Sequence, residues 1–425
     1  MQNTVQVSRV LYKSISCLLL SSALLSACQD TTSTSSPSVT EVGGTRSKRQ
    51  SIGNCWLYSQ ASWLESLYFS NHNAHVDVSE SYWTYWDWYT RLTQDSYEEL
   101  GTAKDEGGIK SFEFNTGGSW NRAVYLMSNY GFLSEAQFGV DDYKTEKSAL
   151  QAAALVEVQK ALLEGGELFK AEDRTKEKVT AFLNKVFKVN MDDLLPQAVK
   201  NLQNVEIANG PVKKVLVEDP ANSGESASQE YKFVPKSKVK VAQAIQTEWR
   251  TVGFPSAEGV TTAEGLTPET IAARRAIFKR VMRALNDRQP VLMSVHVFFN
   301  GLRADPATRR GIFDYNTLSQ NLPSLPADQG GHMVLLTDYT VKNAPGVGNL
   351  GRGDKSEEEK LAALEGELAT FVSKNSWGFA RGPRGLFDGE SDFTADYLTL
   401  PAEKTYGEEK VFGSTVSSFV LPRGY

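Results

Sequence analysis

Three residues far apart in the chain have the types that acyl chemistry on a thiol requires: Cys55, His332 and Asn375. A thiol attacks a carbonyl well only as thiolate. The turn signal Gly53-Asn54, followed by Trp56, Leu57, Ala61, Leu64 and Leu67-Tyr68 at helical spacing, predicts that Cys55 sits in the first turn of a largely buried helix. Unpaired backbone N–H groups and the helix macrodipole favour negative charge there. A neighbouring imidazole takes the thiol proton and later returns it to a leaving amine. A third group must hold that imidazole in one tautomer, and an asparagine oxygen does so without adding charge. Alone, Cys55 reads as readily as a buried structural thiol. It is the order Gly53-Asn54-Cys55-Trp56, Gly330-Gly331-His332-Met333-Val334 and Lys374-Asn375-Ser376-Trp377-Gly378 that points to a nucleophile, its acid/base and an orienting group.

The elements that must position them are legible in outline. Val78-Ser79-Glu80 opens a second helix carrying Tyr82, Trp83, Tyr85, Trp86, Trp88 and Tyr89. An aromatic stripe of that size is expected in a core. The loop from Asn115 to Trp120 leads into an amphipathic helix around Ala123 to Asn129, and the pattern from about Lys144 to Asn190 is helical and charged. Ala208 to Tyr231 reads as a polar loop, with Asn-Gly-Pro, Asp-Pro and Asn-Ser-Gly breakers. A helix is predicted over Ile271 to Leu285, and strands over Pro290 to Phe299, His332 to Tyr339 and Ala369 to Ser373. Helices early and strands late predict an α+β chain with a helical lobe and a sheet lobe. His296 lies in an apolar strand and reads as a core or pocket-wall residue, while His72 and His75 read as facing water. So few histidines without paired cysteines argue against a zinc site. Gly346-Val347-Gly348-Asn349-Leu350-Gly351 matches a dinucleotide fingerprint in letters only. The following strand carries Lys374 to Gly378 rather than the acidic residue such a site needs, so a glycine-rich surface loop is expected.

These motifs resemble those of the papain family of cysteine peptidases. Cys55-Trp56 at a helix start, His332 before a small and apolar strand, and Asn375-Ser376-Trp377-Gly378 are similar to its three motifs. The resemblance implies a papain-like two-lobe fold in which Cys55 is nucleophile, His332 general acid/base, Asn375 the orienting group and Trp377 a shield over their hydrogen bond. Gly117-Gly118 resembles the loop whose backbone holds the substrate residue N-terminal to the scissile one. Gln50 resembles the oxyanion-hole glutamine, although it stands five rather than six residues before the cysteine, where Arg49 is found. The resemblance covers roughly 50–130 and 290–400. It implies a helical lobe at about 48–140, a mainly helical insertion at about 145–270 and a sheet lobe at about 286–425, with no metal or organic cofactor. Within the family, Ser79-Glu80-Ser81-Tyr82 and Ser391-Asp392-Phe393 with Asp396-Tyr397 are most similar to the bleomycin hydrolase and aminopeptidase C branch.

The N-terminus reads as an export signal. Arg9 and Lys13 precede an apolar run, too short to span a membrane, that ends in Leu25-Ser26-Ala27-Cys28. That ending resembles a bacterial lipobox, which implies removal of 1–27, lipidation of Cys28 and anchoring in the cell envelope, with Gln29 favouring an outer membrane. Residues 28–47 are Ser/Thr-rich and read as a flexible tether ahead of a peptidase domain at 48–425. Of three cysteines, Cys17 is lost with the leader and Cys28 takes lipid, so Cys55 is the one free thiol of the mature chain and a disulfide scaffold is excluded. A net charge of −6 and a pI near 5.5 argue against a nucleic-acid partner. The expected partners are a peptide or protein substrate and, through the lipid, a membrane. Two other readings stay open: a catalytically silent envelope protein that binds peptides or a partner, which the offset of Gln50 keeps alive, and transfer chemistry on the same Cys-His pair.

Overall fold

A computed structural model describes residues 47–139, 147–216, 231–256, 259–306, 308–321, 329–378, 387–406 and 409–425. The leader, Cys28 and the tether up to residue 46 lie outside the described residues, all of which belong to one unit, Ser36–Tyr425. Helices fill most of the first half. Helix α1, Cys55–His72, is buried along nearly its whole length. Helix α2, Glu80–Gln94, starts where Ser79 accepts from the Tyr82 N–H, as its Ser-Glu opening predicts. Tyr82, Trp83, Tyr85, Trp86 and Trp88 of α2 are buried, so the aromatic stripe is core.

Strands β1 (Gly101–Glu106) and β2 (Ile109–Phe114) form a hairpin between α2 and the helix Trp120–Tyr130. Three further helices, Ala149–Ala161, Lys176–Phe187 and Met191–Asn204, occupy the stretch expected as a helical insertion. That stretch also holds a second hairpin, β3 (Glu206–Leu216) with β4 (Tyr231–Lys240), where a polar loop was expected from Ala208 onward. The breakers Gly210-Pro211 lie inside β3 at a register shift between Asn209 and Val212, with Gly210 at φ 71°, so they bend a strand rather than end one. Strand β5 (Trp249–Gly253), also within the supposed insertion, joins the main sheet.

The helix Pro268–Asn286 then leads to β6 (Val291–Phe298), β7 (Leu302–Ala304), β8 (Arg310–Phe313), β9 (Gln329–Ala344), β10 (Gly348–Leu350), β11 (Glu367–Lys374), β12 (Phe387–Thr394), the hairpin β13 (Ala402–Tyr406) with β14 (Glu409–Gly413), and β15 (Val416–Pro422). The main sheet runs β5-β15-β6-β9-β11-β12-β8-β7, with β10 paired to β9; all pairs are antiparallel except β12 with β8. The chain is thus α+β, with short β hairpins among the early helices.

The sheet is buried on both faces, and strand alternation divides its side chains between two cores. Leu292, Met333, Leu335 and Val420 pack into the core built around α1. Val291, Met293, Val334, Leu336, Phe419 and Leu421 pack into the core under the helix Pro268–Asn286. Helix α1 is pinned to β9 by Ser59, whose hydroxyl donates to the Met333 carbonyl at 2.6 Å.

Candidate active site

Cys55 is the first residue of α1. Asn54 before it does not cap the helix; its Nδ2 donates to Thr84 Oγ1 at 3.0 Å and to Gln151 Oε1 at 2.9 Å. The first turn carries no acidic residue. The partial positive charge of the helix start is therefore left for the thiol. Burial raises the Cys55 pKa, but the opposing influences of His332 and of the Met333 and Trp56 N–H groups win, and the thiol is held below its ordinary value.

His332 lies near the start of β9, opposite Val295 of β6. Its Nε2 lies 2.8 Å from Asn375 Oδ1. The same oxygen accepts from the Ser376 backbone N–H at 2.7 Å, while Asn375 Nδ2 donates to Ser391 Oγ at 3.2 Å. A backbone N–H can only donate, so the amide orientation is fixed and Nε2 is the protonated ring nitrogen. That leaves Nδ1 for the thiol, whose charge acts on the ring. Burial lowers the His332 pKa, yet Cys55 and the hydrogen bond to Asn375 outweigh it and the imidazole is raised. The opposite shifts both favour passing the proton from the thiol to the ring. Trp377 stacks on the ring with centroids 4.9 Å apart and planes tilted 22°, and is itself backed by Phe299 and Phe313. Cys55 and His332 are each 8% exposed.

The glycine loop abuts the same helix. The Trp56 indole N–H donates to the Thr116 carbonyl at 3.0 Å, and a Cβ on Gly118 would meet the indole at 2.3 Å. Gly117 N–H donates to Asn115 Oδ1 at 3.1 Å, and its carbonyl accepts from Arg91, which is paired with the buried Asp87. Gly117 and Gly118 are both exposed. The loop is thus held from beneath by Trp56 and Arg91 and open above.

Gln50 is close to the constellation but occupied. Its Nε2 donates to the Ile52 carbonyl at 2.9 Å, its Oε1 accepts from the Ser376 hydroxyl, and its backbone N–H donates to the Ser376 carbonyl at 2.8 Å. Arg49 makes backbone bridges to Trp377 and Lys147. His296 lies opposite Gly331, next along β6 from Val295, and is buried with Nε2 2.8 Å from Gln329 Oε1. His72 and His75 are exposed, with rings stacked on Tyr68 and Phe69. Gly348–Leu350 forms β10 against β9, so the fingerprint-like glycines belong to a hairpin.

Behind Asn375 lies a charged cluster that sequence reasoning missed. Lys48 is 2.7 Å from Glu80, 2.7 Å from Asp77 and 3.5 Å from Glu135, and donates to the Val78 carbonyl at 2.9 Å. Glu65 of α1 accepts from the Val78 N–H at 3.0 Å and pairs with Lys374 at 3.5 Å. Burial works against charge on Lys48, but the four carboxylates raise it well above the ordinary lysine value. Burial likewise pushes Glu80 up, to about 7, against the pull of Lys48. A small cavity lined by Lys48, Glu65, Glu80, Lys374, Asn375 and Ser376 joins this cluster to the asparagine motif. The adjacency of Lys374 to Asn375 was the one sequence signal available.

Among the described residues, no group of three or more His, Cys, Asp or Glu side chains could hold a metal ion, and no helix is long and apolar enough to cross a membrane. No family model matches the chain. No curated protein matches it either. Among solved structures it is similar to PepW from Lactobacillus rhamnosis HN001 (DR20), a selenomethionine-derivative crystal structure, at 11% identity and a TM-score of 0.39, over 92% of this chain and 81% of that one. A likeness at that level carries no argument, and the functional reading rests on the site itself.

Proposed function

We propose that the chain is a cysteine-type peptidase of papain-like fold that hydrolyses peptide bonds through an acyl-enzyme on Cys55. The observation that carries the reading is a buried thiol at the head of α1 together with a buried imidazole held by Asn375 at 2.8 Å under Trp377. In the proposed reaction the Cys55 thiolate attacks the scissile carbonyl, and the oxyanion formed is met by the Cys55 backbone N–H and the Gln50 side-chain amide. His332 gives its Nδ1 proton to the leaving amine, the C–N bond breaks, and a thioester remains. Water then gives a proton to Nδ1 as its oxygen attacks the thioester; the acid product leaves and the thiolate–imidazolium pair returns. Gly118, with Gly117 beneath it, offers backbone groups to the substrate segment on the acyl side. The helices around α1 and the main sheet would form the two lobes, with the cleft between Cys55 on one side and His332 and Asn375 on the other.

The same proposal places the protein in a bacterial cell envelope, the outer membrane where there is one. Residues 1–27 are removed, Cys28 carries lipid, and residues 28–47 tether a peptidase domain at 48–425. Kinship with the bleomycin hydrolase and aminopeptidase C branch rests on the Ser79 to Tyr82 and Ser391 to Tyr397 motifs alone.

The test is a fluorogenic peptide panel together with a thiol-directed epoxide, applied to the wild type and to Cys55→Ala. Turnover and covalent labelling are expected of the wild type and neither of the variant. A wild type that is neither labelled nor active on any peptide would sink the reading. The engagement of the Gln50 amide by Ile52 and Ser376 favours one alternative, a silent envelope protein that binds peptides in the cleft; it predicts labelling of Cys55 without turnover.

A further inference from the structure

We propose that residues 47–50 form a positioning strap for the asparagine motif and that Lys48 is the plug that holds it. This rests on reading Cys55, His332 and Asn375 as the active site. The strap runs beside 376–378 and is joined to it twice through the backbone: Gln50 N–H donates to the Ser376 carbonyl at 2.8 Å, and Gly378 N–H to the Lys48 carbonyl at 3.2 Å. Ser47 Oγ donates to the Gly389 carbonyl at 2.8 Å, the same carbonyl that accepts the Asn375 N–H at 2.8 Å. The Gln50 side chain closes the far end against Ser376 and Ile52. The segment that carries Asn375 and Trp377 therefore has the strap on one side and β12 on the other.

The strap has little apolar surface of its own to bury, its sequence being Ser47-Lys48-Arg49-Gln50. What fixes it is Lys48. Its side chain turns inward between α1 and α2, and its ammonium meets Glu80 at the head of α2, Asp77 and the Val78 carbonyl just before it, and Glu135 beyond the helix Trp120–Tyr130. Glu65 of α1 faces the same cluster and is answered by Lys374, the residue before Asn375. An ammonium so placed cannot be withdrawn without taking away the cation 2.7 Å from the buried Glu80 carboxylate. The strap is thereby nailed to the helices that present Cys55, while its edge aligns the residues that hold His332. Lys48 touches no reacting atom; it acts through Asn375 and Trp377.

The consequence is measurable at the thiol. If the strap loosens, the Asn375 and Trp377 contacts to His332 loosen, the imidazolium stabilises the thiolate less, and the Cys55 pKa rises. The experiment is the pH dependence of iodoacetamide alkylation of Cys55 in the wild type, in Lys48→Met, and in Lys48→Met/Glu80→Gln. The double variant also makes neutral the buried carboxylate nearest Lys48, so the fold is spared that charge without its ammonium. In both variants the midpoint is expected to move up by about one pH unit, making alkylation on the acid limb roughly tenfold slower. A shift in the single variant that vanishes in the double would show charge acting through space and overturn the proposal. So would an unmoved midpoint in a folded double variant, or a double variant that does not fold, which would make Lys48 structural only. Alkylation needs no peptide, so these outcomes stand apart from any failure of the wild type to turn over peptides.

Discussion

At the scale of the residue, the pair of pKa shifts fixes the form of the pH profile. In the proposed reaction the reactive species is thiolate with imidazolium. It appears as pH rises through the lowered Cys55 pKa and disappears as pH rises further through the raised His332 pKa. kcat/KM is therefore expected to follow a bell whose acid limb lies below the ordinary thiol range and whose alkaline limb lies above the ordinary imidazole range. Its acid limb should coincide with that of Cys55 alkylation; acid limbs that differ would assign the limiting ionisation to another group. The residues behind this behaviour were legible because each is announced by its neighbours: Trp56 after the cysteine, the glycine pair before His332, Ser376 to Gly378 after Asn375. Lys48, Glu65 and Glu80 were not legible. A lysine seven residues before the nucleophile and two glutamates on aromatic-rich helices read as solvated charge, and only the packing of α1, α2 and the strap turns them inward.

At the scale of the element, α1 has two duties. Its start presents Cys55, whose thiol pKa is lowered by His332 and by the Met333 and Trp56 N–H groups, and the Trp56 indole carries the glycine loop. These can be separated by Gly118→Ala, whose Cβ would fall 2.3 to 2.6 Å from three atoms of the Trp56 indole. The loop must lift, so KM is expected to rise by roughly tenfold, the scale of one or two lost backbone hydrogen bonds, while the Cys55 alkylation profile stays where it was. A fall in kcat with KM unchanged would mean that the loop does not bind substrate. Elements were read well where periodicity and capping agreed. The helix expected over Ile271 to Leu285 is found at Pro268–Asn286, and the strand expected over Pro290 to Phe299 at Val291–Phe298. The hairpin β3–β4 was lost because Gly210-Pro211 normally ends an element, and β4 buries only Phe233 and Val239, with Ser237 exposed between them. Strand β5 was missed for a different reason: five residues with Trp249 alone buried carry almost no pattern, and what makes them a strand is the edge of β15.

At the scale of the whole molecule, anchoring and chemistry are expected to separate cleanly. Cys28→Ser should release the protein from the membrane fraction and leave turnover of a soluble fluorogenic peptide unchanged, measured on fractionated cells and on the purified protein. Retention in the membrane would refute the lipid anchor. The α+β class was legible from the order of helical and strand-like patterns. The membership of the main sheet was not, because β15 is inserted between β5 and β6 and so joins residues 249–253 to residues 291–298 only through 416–422. That insertion has a consequence for how the chain comes into being. Both cores of the sheet wait for Val416, Phe419, Val420 and Leu421, which come late in the order of synthesis. Until they arrive, β6 has a bare edge and the histidine strand beside it has a neighbour that is not yet anchored. Under the proposed export, N-terminus first, Cys55 would cross a membrane well before the strand that completes the sheet beside His332 is made.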